Sequence, residues 1–239
     1  MSSLPSSILD FDLGNSRLKY RCGSQRGAVS YPQQPLPELL SVSRVRVSSV
    51  RNAEADQEFA AAVRERYGCE CEFASTTSEL AGVSNGYQTP DALGVDRWLA
   101  AVAGYHHASG AVLVADLGTA ATLDYVSAQG VHLGGFIVPG LELMSRALLR
   151  DTAAIELDGE VTGLDLAPGR STDQAVQRGC LLALVRLLDA ENERFRGAHG
   201  DKSRLLLCGG SAQRVAAALQ TQNEVVSDLV LDGLALALP

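Results

Sequence analysis

Long apolar runs, basic clusters, a cysteine framework and the common nucleotide fingerprints are all missing from this chain. Its five cysteines, Cys22, Cys69, Cys71, Cys180 and Cys208, are odd in number and irregularly spaced. Cys69-Glu70-Cys71 is C-x-C rather than C-x-x-C, and no His/Cys cluster surrounds it. That excludes a disulfide scaffold and a zinc site, and predicts reduced thiols in a cytosolic protein. No apolar run is long enough to span a bilayer. The stretch Leu229 to Leu238 is apolar but short, and Asp232 and Gly233 interrupt it, which predicts a docked terminal helix. Met1 to Ser7 is polar, without a basic run leading into an apolar one, so no signal peptide is expected. Blocks of Lys and Arg are absent, and 28 acids against 20 bases leave a net charge of −8. Such a surface is poorly suited to neutralising a nucleic-acid backbone. It can still hold a single nucleotide, because backbone N–H groups and a metal ion can do that work. Neither a G-x-x-x-x-G-K-[ST] loop nor a G-x-G-x-x-G fingerprint occurs.

What the chain does have is an ordinary globular balance, 46% hydrophobic and 20% charged over 239 residues, enough for one large or two modest domains. Residues Ile8 to Leu13 alternate apolar with acidic side chains up to Gly14, which predicts a strand entering a turn, with Arg17 to Cys22 returning. Arg44 to Val50 predicts a half-buried strand, Ala53 to Tyr67 a helix and Glu70 to Ala74 a further strand. Ser75 to Pro90 predicts a loop and Asp91 to His107 a helical region. Beyond these, Ala111 to Ala115, Thr122 to Val126, Val131 to Val138 and Leu205 to Cys208 predict strands. Helices are expected from Pro139-Gly140 to about Arg150, over Asp173 to Phe195 behind an N-cap at Ser171 or Thr172, and over Ser211 to Gln220.

The organising feature is an internal repeat. Ile8-Leu9-Asp10-Phe11-Asp12-Leu13-Gly14-Asn15-Ser16 aligns with Val112-Leu113-Val114-Ala115-Asp116-Leu117-Gly118-Thr119-Ala120. The spacing is much too long for a solenoid. It predicts two similar α/β lobes, 1–108 and 109–239, facing each other. In each copy a strand delivers an Asp to its end, a glycine permits a turn, and short polar residues leave backbone N–H groups at the tip. Such a tip can wrap a phosphate while the Asp holds a metal ion or its water shell. One isolated Asp-x-Gly followed by Asn, Ser or Thr is common turn chemistry. Two copies, both at the ends of apolar strands, favour a phosphate site gripped from two sides, which is most of what phosphoryl transfer asks of a protein.

Three further constellations carry weaker signals. Tyr87-Gln88-Thr89-Pro90-Asp91-Ala92-Leu93-Gly94-Val95-Asp96-Arg97-Trp98 sets a carboxylate beside a guanidinium after a glycine turn. Asp96 there could accept a hydroxyl proton and Arg97 could hold an anionic oxygen, although an Asp at a helix start also suits the macrodipole. Gly134-Gly135-Phe136-Ile137-Val138-Pro139-Gly140 and Cys208-Gly209-Gly210-Ser211 permit close backbone approach, or are simply strand-to-helix connections. His106, His107, His132 and His199 are read as surface or structural residues.

Taken in order, D-x-G-N-[TS], Y-x-x-P-x-x-x-G-x-D-R, D-x-G-T-A-x-T, G-G-x-I-x-P-G and a late G-G, these motifs resemble the type III pantothenate kinases of the actin and sugar-kinase superfamily. The resemblance covers nearly the whole chain. It implies an actin-like, ribonuclease H-like ATPase fold with mixed sheets flanked by helices, and ATP-dependent phosphorylation of pantothenate, the first step of coenzyme A synthesis. It further implies that Asp12, Leu13, Gly14, Asn15, Ser16, Arg17, Leu18 and Lys19 form the first ATP phosphate loop. Thr119 would be the second loop's ATP contact and Asp116 the monovalent-cation ligand. Asp96 would be the proton-accepting catalytic residue, and Tyr87, Gly94, Val95, Asp96, Arg97 and Thr172 the pantothenate contacts. Magnesium with ATP, potassium or ammonium as activator, a homodimer and a cytoplasmic location follow from the same resemblance, with no nucleic-acid or membrane partner. Ser16 stands where the family usually has Thr, which keeps the hydroxyl. A non-catalytic regulator on this fold and a kinase for another small hydroxy acid are the alternatives.

Overall fold

The computed structural model describes residues 7–150 and 166–239; most of the polar N-terminal stretch lies outside them. The chain divides into two compact units, Met1–Ala103 with Asp228–Pro239, and Gly104–Ser227. The division differs from lobes at 1–108 and 109–239 chiefly because the last segment returns to the first unit.

In the first unit, β1 (Ser7–Leu13), β2 (Leu18–Cys22), β3 (Gln25–Val29), β4 (Val42–Ser49) and β5 (Cys71–Phe73) form a sheet of order β3-β2-β1-β4-β5. β1 pairs antiparallel with β2 and parallel with β4. The two-residue period of β1 sorts its side chains by face. Leu9, Phe11 and Leu13 are fully buried, in one core with Val45 and Val47 of β4 and Phe59 and Val63 of α1 (Ala53–Tyr67). Helix α1 forms where composition predicts it. Asn52 caps it by accepting from Ala55 N–H, and Gly68 ends it at φ 70°. Phe11 meets the Phe59 ring edge-on at 5.2 Å.

The opposite face of β1 presents Asp10, which is buried between two arginines. Arg46 Nε lies 2.7 Å from its Oδ1, and Arg21 Nη2 lies 3.2 Å from its Oδ2. The same guanidiniums donate to the carbonyls of Leu238 and Leu231. This ties down the terminal helix α6 (Leu229–Ala237), and explains why the last segment belongs to the first unit. Gly233 of α6 sits so close to Leu99 that a Cβ there would meet the Leu99 carbonyl oxygen at 2.1 Å.

The second unit repeats the plan. Here β8 (Val112–Leu117), β9 (Ala120–Val126), β10 (His132–Pro139), β11 (Arg204–Cys208) and β12 (Glu224–Val225) run in the order β10-β9-β8-β11-β12. β8 is antiparallel to β9 and parallel to β11, as β1 is to β2 and β4. Strand order and direction are therefore the same in both sheets, and Asp12 and Asp116 are each the penultimate residue of the first strand. One face of this sheet packs Leu113, Ala115, Leu117, Leu123 and Tyr125 against Leu181, Leu184, Val185 and Leu188. Those last four belong to α4 (Thr172–His199), which is capped by Ser171 accepting from Gln174 N–H.

Several boundaries depart from the sequence reading. β3 is an exposed edge strand without apolar alternation, so it carries no strand pattern. The expected loop 75–90 contains a small hairpin of β6 (Glu79–Leu80) and β7 (Val83–Ser84), turned by Ala81 and Gly82 at positive φ. The helical region 91–107 is two pieces. A 3-10 turn, Pro90–Ala92, precedes α2 (Val95–Ala108), with Leu93 and Gly94 between them. Helix α5 is only Ala212–Ala216. His132 is fully buried, with Nε2 3.0 Å from Asp124 Oδ1, and His107 pairs with Glu224; both serve the fold.

Candidate active site

In the first unit the phosphate-loop candidate is the β1–β2 hairpin tip. Asp12 pairs across the sheet with Lys19 on β2 and Ser48 on β4. Leu13 and Leu18 close the ladder and are fully buried, so those two residues can offer a ligand only their backbone. Gly14 N–H donates to Arg17 O at 3.1 Å, which holds the turn shut and leaves Asn15, Ser16 and Arg17 exposed at its tip. The tip is braced from outside. Val50 N–H reaches Leu13 O at 3.5 Å, and Arg51 donates twice to Gly14 O, from Nε at 3.1 Å and Nη2 at 2.9 Å.

The Tyr87-to-Arg97 constellation is also in this unit. Arg97 Nη1 donates to the Tyr87 hydroxyl at 2.8 Å, and its guanidinium carbon stands 5.8 Å from the Tyr87 ring centroid. These two sequence-predicted residues are therefore brought together. Asp96 lies in the first turn of α2, where its Oδ1 accepts from Arg97 N–H at 2.8 Å. Gly94 makes room for this, since a Cβ there would stand 2.8 Å from Asp96 Oδ1. Asn85 fixes the approach to the site. Its Nδ2 donates to the carbonyls of Thr77 and Pro90, and its Oδ1 accepts from Tyr87 N–H at 2.9 Å.

In the second unit the β8–β9 tip has the same construction with a shorter turn. Gly118 N–H donates to Ala120 O at 3.0 Å. Ser211 N–H holds Leu117 O, and Gly140 N–H holds Thr119 O, each at 3.0 Å. The two glycine motifs therefore have a common use. A Cβ on Gly140 would meet Gly118 O at 2.1 Å, and one on Gly209, at φ +92°, would meet Asp116 Oδ1 at 2.5 Å. Thr119 is exposed at the tip, and Thr172 is exposed as the first residue of α4. Asp116, Thr119 and Thr172 belong to this unit, while Asp12 to Lys19, Tyr87 and Gly94 to Arg97 belong to the other.

A family model of type III pantothenate kinases matches residues 8–193. The chain belongs to the type III pantothenate kinase family. A curated family member from Pseudomonas putida strain KT2440 is 41% identical over 97% of this chain and 99% of its own length. Among solved structures, a conserved protein from Campylobacter jejuni described as a Baf family transcriptional activator aligns with TM-score 0.59 at 20% identity, covering 95% of each chain. The apo ParM protein of psk41 aligns with TM-score 0.50 at 10% identity, over 97% of this chain and 96% of that one. Likenesses this distant concern the fold alone, and they agree with the duplicated 3-2-1-4-5 sheets. Each unit is a mixed five-stranded sheet with helices packed on it, the mixed α/β class expected from the sequence. Gly140 and Gly209 belong to the glycine motifs read as permitting close backbone approach, and they use it here; Arg51 and Asn85 are the bracing residues that motif reasoning did not single out. Arg51 and Asn85 sit in connections and carry no periodic or glycine signal.

Proposed function

We infer that the chain transfers the γ-phosphoryl group of ATP to the terminal hydroxyl of pantothenate, giving ADP and phosphopantothenate. The observation that carries this reading is the pair of Asp-Leu-Gly hairpin tips at equivalent positions of two identically ordered sheets, in a chain of this family. In the proposed reaction Asp96 takes the hydroxyl proton. The freed oxygen bonds to the γ-phosphorus as the bond from that phosphorus to the oxygen bridging to the β-phosphate breaks, and ADP leaves with that electron pair. The tip from Asp12 to Lys19 holds the transferring phosphate, and Thr119 contacts ATP from the second tip. Tyr87, Gly94, Val95, Arg97 and Thr172 orient pantothenate. The Tyr87–Arg97 hydrogen bond supports this assignment, because it fixes a planar cation, itself largely buried, against a phenol.

Magnesium and a monovalent cation, potassium or ammonium, are proposed with the nucleotide. Among the described residues no group of three or more His, Cys, Asp or Glu side chains could cage a metal ion. That suits a magnesium ion carried by the phosphates with a single carboxylate such as Asp12. Asp116 is half-buried at the end of β8 beside the second tip, and its carboxylate is the oxygen ligand proposed for the monovalent cation. When bound, these ions neutralise phosphate charge.

A cytoplasmic homodimer completes the proposal. The five free cysteines support the location. No described helix is long and apolar enough to cross a membrane, and the net charge of −8 disfavours nucleic acid. The edge strand β10 exposes Leu133, Phe136 and Ile137, and α3 (Leu141–Arg150) exposes Leu143 and Leu148. An apolar strip of this kind suits burial against a second copy. ADP release measured with and without pantothenate, and with potassium replaced by sodium, tests the reading. Turnover that ignores pantothenate would rule it out.

A further inference from the structure

The two hairpin tips are braced differently, and the difference points to a residue outside every motif. In both tips the carbonyl of the last strand residue is held by a backbone N–H from the parallel neighbour's exit, Val50 to Leu13 and Ser211 to Leu117. A second carbonyl is also held in each. In the second tip the backbone of Gly140 holds Thr119 O. In the first tip a side chain does it. Arg51 gives two hydrogen bonds to Gly14 O and a third, from Nη2, to Tyr31 O at 3.3 Å.

Arg51 is itself fixed. Its N–H donates to Ser49 Oγ, which donates in turn to Asp56 Oδ1 at the head of α1. The carbonyl it holds shares a peptide unit with the N–H of Asn15. That unit is planar and trans, so the carbonyl and the N–H point in opposite directions. Fixing Gly14 O towards Arg51 therefore aims the Asn15 N–H away from it, out of the tip. A cation bound to the carbonyl also polarises the peptide and makes its N–H a stronger donor to an anion. Asn15 is exposed, and its N–H donates to no described acceptor.

We propose that Arg51 is a positioning residue for ATP: by clamping the Gly14 carbonyl it presents the Asn15 N–H to a nucleotide phosphate. The proposal rests on the reading of Asp12 to Lys19 as the phosphate loop. Lysine can supply only one nitrogen where the guanidinium uses two, so Arg51→Lys should recover the function only in part.

The test compares steady-state kinetics of Arg51→Met, Arg51→Lys and Asp12→Asn, with melting temperatures of each. Loss of a charge-assisted clamp predicts an ATP KM about tenfold or more higher in Arg51→Met. The pantothenate KM should stay within about twofold, and Arg51→Lys should fall between Arg51→Met and the parent. A raised ATP KM in Asp12→Asn with an unchanged one in Arg51→Met overturns the role of Arg51 and leaves the loop reading standing. An unchanged ATP KM in Asp12→Asn and Arg51→Met sinks the loop reading and this proposal together. Equal rises in both KM values, tracking a lower melting temperature and unrelieved by lysine, assign Arg51 to stability alone and also overturn it.

Discussion

Adding one methyl group at Gly209 should damage the second phosphate tip, while the same change one residue later should do nothing. Gly209 adopts φ +92°, a backbone region that L side chains rarely occupy, and its missing Cβ would lie 2.5 Å from Asp116 Oδ1 and 2.6 Å from the backbone N and C of Leu117. Two of those three atoms are main chain and cannot swing aside. Overpacking of this kind costs about 1–3 kcal/mol, and a left-handed non-glycine residue adds about 1–2 kcal/mol. The expected cost of Gly209→Ala is therefore about 2–5 kcal/mol, or roughly 5–15 °C in melting temperature for a chain of this size. Gly210 has nothing within 4 Å of a Cβ and no positive φ, so Gly210→Ala should stay within about 0.5 kcal/mol. Thermal melts followed by circular dichroism compare the two, and potassium titrations of the kinase rate read the effect on Asp116. Equal melting temperatures for the two variants would show that the close approach of Gly209 to the β8 end is not what shapes this tip.

The remaining predictions concern other parts of the molecule. Asp96→Asn should keep the melting temperature and lose about 10²–10⁴-fold in kcat, the range of general-base help; near-parent turnover would remove Asp96 from its role. Asp116→Ala should flatten the dependence of rate on potassium, seen by titrating the cation at saturating ATP. Asp10→Ala leaves Arg21 and Arg46 without their shared carboxylate and should cost about 3 kcal/mol, read from urea midpoints. Burial pushes the Cys71 thiol up to about 12 from an ordinary 9.0. The native state thus favours the protonated thiol, and its stability falls as pH rises above 9.0 towards that value. Cys71→Ala should lose less stability over that range in denaturant titrations at stepped pH.

Legibility in the sequence followed physical rule. The repeat of Asp-Leu-Gly was readable because strand alternation and turn glycines leave periodic marks, and it led directly to two sheets of the same order. Tyr87, Asp96 and Arg97 were readable only as an ordered motif; their spacing alone allowed an ordinary helix start. The break inside 91–107 was legible only as the turn at Gly94; the helical composition continues across Leu93 and hides the separate 3-10 turn before it. The return of α6 to the first unit was also hidden. It depends on Asp10, Arg21 and Arg46, charged residues in strands whose alternation predicts one face turned to solvent. Arg51 left no trace because its partner is a backbone carbonyl, and carbonyls are the same in every sequence.

The central claim is a transfer, and the product tests it most directly. Purified protein is incubated with ATP, magnesium, potassium and pantothenate, and the reaction is followed by phosphorus NMR. The account predicts loss of the γ-phosphate signal with matching growth of ADP and a phosphomonoester resonance that appears only when pantothenate is present and that Asp96→Asn abolishes. Release of inorganic phosphate in place of that ester, or ATP left intact beside pantothenate, would contradict it.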